Sequence, residues 1–127
     1  MKPIEIRLVE IFLPWPDVTL KPNGSHRHWS VKAGAKKNAR RFAKFMVMEN
    51  HKPIAYTGEL GAHFTIYPPD RRFRDMDNIK AMLKPYMDGV FDALGMDDRQ
   101  IRRSVTEFDE PIKGGGIKVV LTELKHD

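Results

Sequence analysis

Asp75 and Asp77, in the stretch PPDRRFRDMDNIKAML (residues 68–83), are the residues whose type and spacing most directly suggest chemistry. Aspartates two positions apart converge in a loop or at a strand-to-helix junction, and on a straight strand they point to one face. Converging carboxylates repel each other unless a proton or a cation lies between them. All-oxygen ligands suit Mg²⁺, with Mn²⁺ as a substitute, and waters and a substrate phosphate complete the shell. A third carboxylate could come from Asp97 or Asp98, in the polar turn beyond the helix that starts near Asp77. A purely structural reading stands beside this one. Asp77-Asn78 before an apolar-periodic run is a good helix N-cap, Asp75 can pair with Arg71 or Arg74, and Asp97-Asp98 is an ordinary turn.

Arg71, Arg72 and Arg74 run directly into these acids. Arginine attracts phosphate and aspartate repels it, and a divalent cation reconciles the two. Metal-dependent phosphodiester hydrolysis needs that combination, because the metal activates water, polarises phosphate and stabilises the leaving alkoxide. A nearby ammonium adds stabilisation of developing negative charge. Lys80 and Lys84 are the local candidates, with a solvated helix face as their plain alternative. Upstream, KPNGSHRHW offers Asn23, His26, Arg27, His28 and Trp29, which present donors, charge and an aromatic face to nucleic acid. His26 and His28 lack the companion spacing of a zinc site.

The elements that must position these residues belong to a chain of 127 residues, the size of one compact domain covering 1–127. A net charge of +5 favours a polyanionic partner. The chain has no cysteine, which excludes disulfides, thiolate metal sites and a cysteine nucleophile. No apolar run approaches the ~20 residues that span a bilayer. Glu5, Arg7 and Glu10 interrupt the apolar N-terminus, which is not a signal peptide. The expectation is a soluble, cytoplasmic protein with no membrane association.

Ile4, Ile6 and Leu8 alternate with Glu5 and Arg7, predicting a strand over 4–13 that ends at Pro14 and Pro16. Ser30 can cap a helix running to about Glu49, with Ala35, Ala39, Phe42 and Met46 facing the core and Lys37, Arg40, Arg41 and Lys44 on another face. Leu60 to Tyr67 alternates as a second strand, stopped by Pro68 and Pro69. From Asp77 the period becomes helical through Leu94. Pro85 predicts a kink or two shorter helices there, and Gly95 ends the run. Residues 101–109 and Ile117–Leu124 read as two more strands, expected to form an antiparallel hairpin. The order β-α-β-α-β-β indicates an α+β fold, a small mixed sheet packed with helices.

The chain resembles the RusA family of Holliday junction resolvases, and its phage-type members in particular. The segments that carry the likeness are PPDRRFRDMDN, LKPYMDGVFDALGMDDRQI and KGGGIKVVLTEL, with LPWP and KPNGSHRHW near the N-terminus. The resemblance implies a Mg²⁺-dependent crossover junction endodeoxyribonuclease, active as a homodimer on four-way DNA junctions in recombination and repair. It implies a triad of Asp75, Asp77 and Asp98 that holds the metal. It also implies a catalytic lysine, and aligning the LKP block selects Lys84. The expected DNA contacts are then Arg71, Arg72, Arg74, Asn23, Arg27 and Lys80.

Overall fold

Residues 3–22 and 29–126 are described by the structure, a computed structural model. Four strands and two helices follow in the order expected of an α+β chain: β1 (Ile4–Pro14), α1 (Trp29–Asn50), β2 (Leu60–Tyr67), α2 (Met76–Leu94), β3 (Ile101–Phe108) and β4 (Gly116–Lys125). They form two compact units. One contains the four strands, and the other contains both helices with the segments around them.

The sheet unit has strand order β1-β4-β2-β3. β4 pairs antiparallel with β1 and β2, and β3 pairs parallel with β2. The register aligns Val9, Ile11 and Leu13 with Leu121, Val119 and Ile117, and these with Ala62, Phe64 and Ile66. Of these only Phe64 is less than fully buried, so one sheet face is a continuous apolar layer. The expected β3–β4 hairpin does not form: β2 lies between the two strands. The physical reason is polarity as well as connection. β4 and β2 are the more buried strands and take the interior, while the polar IRRSVTEF of β3 suits an edge. Two bonds extend the β3 side toward β2 beyond the strand, from the Asp109 and Ile112 N–H groups to the Ile66 and Pro68 carbonyls.

In the helical unit, α2 is one unbroken helix of 19 residues despite Pro85. A proline inside a helix costs about 3 kcal/mol. The buried stripe of Ile79, Met82, Leu83, Tyr86, Met87, Val90, Phe91 and Leu94 offsets it, since each such side chain contributes roughly 1.5–3 kcal/mol. The interrupted helix expected from Pro85 is therefore not seen. Gly95 ends α2 in the left-handed conformation, as expected, and donates to the Phe91 carbonyl at 3.0 Å.

α1 turns a different face inward from the one its periodicity suggests. Its buried residues are Ala43 and Val47, whereas Phe42 is 44% exposed, with its ring tilted against that of Tyr86 at a centroid distance of 6.3 Å. Gly89 explains the shift. A side chain there would strike the Arg40 carbonyl and the Lys44 amide, so only glycine lets α2 approach α1 along the line through Arg40 and Lys44. Ser30 lies inside α1, which already begins at Trp29, and so does not cap it.

Candidate functional site

Asp75, not Asp77, is the N-cap of α2. Its backbone is extended (φ −78°, ψ 127°) and its Oδ1 accepts the Asp77 N–H at 2.8 Å. Asp77 falls in the first helical turn, where a carboxylate is favoured by the exposed N–H groups. Both aspartates are exposed. The cap engages one oxygen of Asp75, and both residues are exposed at the same helix end. Two carboxylates of this kind fit Mg²⁺, which commonly takes one or two from protein and fills its shell with water and phosphate. The helix end itself opposes a cation, so both carboxylates are needed to reverse the local field.

Asp98 belongs to the sheet unit, whereas Asp75 and Asp77 belong to the helical unit. α2 continues from Asp77 to Leu94, a rise of about 25 Å at 1.5 Å per residue, before the chain reaches Asp97 and Asp98. β2 and β3 are parallel, so the chain must return from one end of β2 to the opposite end before entering β3. Asp98 opens a single 3-10 turn, Asp98–Gln100, just ahead of β3. Gln100 fixes that turn by donating through Nε2 to the Tyr56 and Gly58 carbonyls at 3.0 and 2.9 Å. Among the described residues, no three His, Asp or Glu side chains converge into a metal-binding group.

Lys84 lies seven residues beyond Asp77, nearly two helical turns and about 10 Å along the axis. Its Nζ bonds Asp88 Oδ1 at 2.9 Å, one turn further on. Lys80 is exposed one turn from Asp77. Arg71 pairs with Glu110 at 2.6 Å, and Arg74 Nη1 donates to the Arg72 carbonyl at 3.1 Å. Asn23 and Arg27, with His26 and His28, lie outside the described residues. Trp29 is 74% exposed at the start of α1.

Sequence reasoning passed over Phe73. It is 97% exposed, between Arg72 and Arg74 and two residues before the capping Asp75. An aromatic residue inside an arginine-rich approach to an acidic motif was the available signal. It also passed over Glu5. Its Oε1 accepts from His63 Nε2 at 2.6 Å and Thr122 Oγ1 at 2.8 Å, and Arg103 lies 3.7 Å from Oε2. This cluster draws on all four strands. The bond to His63, supported by Thr122 and Arg103, holds the Glu5 carboxyl below the ordinary carboxylate range against the opposing effect of burial.

No family model matches the chain. Over 121 residues it is 34% identical to a protein of Xylella fastidiosa (strain Temecula1 / ATCC 700964) described only as uncharacterized, an alignment covering 93% of this chain and 78% of that protein. At that identity and coverage, the chain belongs to the same family as the Xylella protein.

Proposed function

We propose that this chain is a Mg²⁺-dependent endonuclease that cuts branched DNA, with the four-way junction as its substrate and a homodimer as its working form. The observation that carries the reading is the combined exposure of Asp75 and Asp77 at the start of α2, directly behind Arg71, Arg72, Phe73 and Arg74. A pure binding module has no use for carboxylates at that point, because they repel the phosphates that the arginines attract. When bound, Mg²⁺ supplies Lewis-acid polarisation of the phosphate and a water of lowered pKa.

The chain's own residues do the rest. Asp75 and Asp77 hold the metal in place, and Mn²⁺ fits the same oxygen donors. The arginines fix the scissile phosphate, and Lys84, on the same face of α2 as Asp77, stabilises charge developing on it. Phe73 stacks on a base unpaired at the branch point, a contact open to an aromatic residue that is almost wholly exposed.

Asp98 completes the site in trans. α2 rises about 25 Å from Asp77 to Leu94 before the chain reaches Asp98, and the third carboxylate then comes from Asp98 of the partner subunit. Two copies related by a two-fold axis then form two such sites, one for each of the two strands that must be nicked.

The test is cleavage of a fixed four-way junction in Mg²⁺, comparing the natural chain with Asp77→Asn. Replacing even an outer-shell partner of a metal site costs about 10–100-fold, so loss of a direct ligand should slow cleavage by more than about 100-fold. Junction binding should be retained. Normal nicking by Asp77→Asn, or nicking by the natural chain that persists in EDTA, overturns the reading. Faster cutting of a fork, flap or RNA at equal salt would replace the junction with that substrate.

A further inference from the structure

We propose that the groove between α1 and α2 is a track for the sugar-phosphate backbone of the DNA strand that reaches the Asp75–Asp77 end of α2. The inference rests on the nuclease reading and assigns to it a surface outside the acidic motif.

The groove encloses about 550 Å³ within the helical unit. Lys36, Lys37 and Arg40 line it from α1, and Ala81, Lys84 and Asp88 from α2. Four cations therefore face one carboxylate. Two of the four are already engaged: Arg40 holds Asp92 through a two-pronged contact at 2.6 and 2.9 Å, and Lys84 holds Asp88. Lys36 and Lys37 are exposed, and among the described residues neither is paired with a carboxylate. The excess positive charge sits on the α1 wall. Ala81 and Pro85 give the lining an apolar stretch between the charged side chains, against which a sugar could rest while its phosphates meet the lysines.

The direction of the groove is the stronger argument. Asp77, Ala81, Lys84 and Asp88 are spaced by 4, 3 and 4 residues, so they share one face of α2. The face that bears Asp77 therefore continues as the groove wall one turn later. A backbone lying along the lysines and running toward the start of α2 arrives at the two aspartates without leaving that face. The Pro85 that α2 tolerates, and the Gly89 that draws α1 close, are what shape this wall.

The experiment measures binding of a four-way junction over a series of salt concentrations, with cleavage in Mg²⁺ at saturating junction as a second readout. The variant is Lys36→Gln/Lys37→Gln, which touches no residue placed in the catalytic machinery. Each lost phosphate contact on duplex DNA makes the slope of log K against log salt shallower by about 0.9, so the double variant should lose about 2 from the slope and bind several-fold more weakly. Cleavage at saturating junction should be unchanged, and Lys36→Arg/Lys37→Arg should restore the slope. Ala81→Glu, which places a carboxylate in that apolar stretch, should weaken binding further. If the double variant melts early, the two single variants each report about half of the slope change.

An unchanged slope in a natural chain that binds and cuts junctions overturns the track and leaves the nuclease standing. Affinity lost for polyglutamate but not for DNA assigns the groove to an acidic protein and equally overturns it. A natural chain that neither binds nor cuts DNA removes both proposals.

Discussion

Glu5 and the Asp75–Asp77 pair are carboxylates set in opposite ways. Glu5 lies across the sheet, where His63, Thr122 and Arg103 answer its oxygens and each comes from a different strand. Its negative charge is answered by donors and cations within the sheet. Asp75 and Asp77 sit exposed at a helix end, and the single internal bond between them engages one oxygen of four. The contrast separates an acid that ties strands together from acids that are exposed to solvent. A part-buried carboxylate surrounded by donors acts as a structural tie, while one held by a cap but open toward solvent keeps oxygens available, as the proposed cation site requires.

The largest effect that would sharpen this contrast is complementation. Asp77→Asn and Asp98→Asn, each alone, should cut a junction more than about 100-fold more slowly than the natural chain. Mixed and re-equilibrated, they should regain nicking, because a mixed dimer contains one site with every carboxylate intact. Mixtures as inactive as their parents would place the third carboxylate in the same chain or outside the site. Next in size is Phe73→Ala. An aromatic that stacks on one base contributes about 1–3 kcal/mol, so junction affinity should fall by that amount while linear duplex affinity barely moves. Equal losses on both substrates would make Phe73 a general contact and not a reader of the branch.

The smallest effect belongs to Glu5. Replacing it with Gln should lower stability by about 1–2 kcal/mol at neutral pH, from the loss of charged hydrogen bonds, without changing cleavage. The dependence on pH has a definite sign. The Glu5 pKa is lower in the folded chain than its ordinary value of 4.5, so the unfolded chain binds more protons in that range. Its contribution is complete above about 4.5 and fades as pH falls through the folded value. Thermal melts of the natural chain and Glu5→Gln should therefore converge in acid. A gap that does not narrow at all as pH falls below 4.5 would mean that packing, not charge, holds the cluster.

Much of this was readable from residue order alone. Alternation at Leu60–Tyr67 and the helical period after Asp77 placed β2 and α2, because each pattern is fixed by local geometry. Gly95 marked the end of α2 for the same reason. The acidic and arginine-rich residues were legible by type. The Asp75 cap was not, since either aspartate of the motif has the chemistry to cap and only the backbone turn chooses between them. Glu5 escaped because its cross-strand partners have no signature within a few residues of it, whereas Phe73 carried a local signal in its arginine neighbours but not its degree of exposure.

By itself the sequence determined the kinds of element, their order, the α+β class and the chemical types gathered at residues 71–77. These follow from short-range sterics and periodicity, which neighbouring residues settle among themselves. Only the tertiary structure decided which strands pair, that Pro85 stays within one helix, and which face of α1 meets α2. Those outcomes depend on contacts between residues far apart in the chain. There the burial of a long apolar stripe outweighs the local cost of one proline.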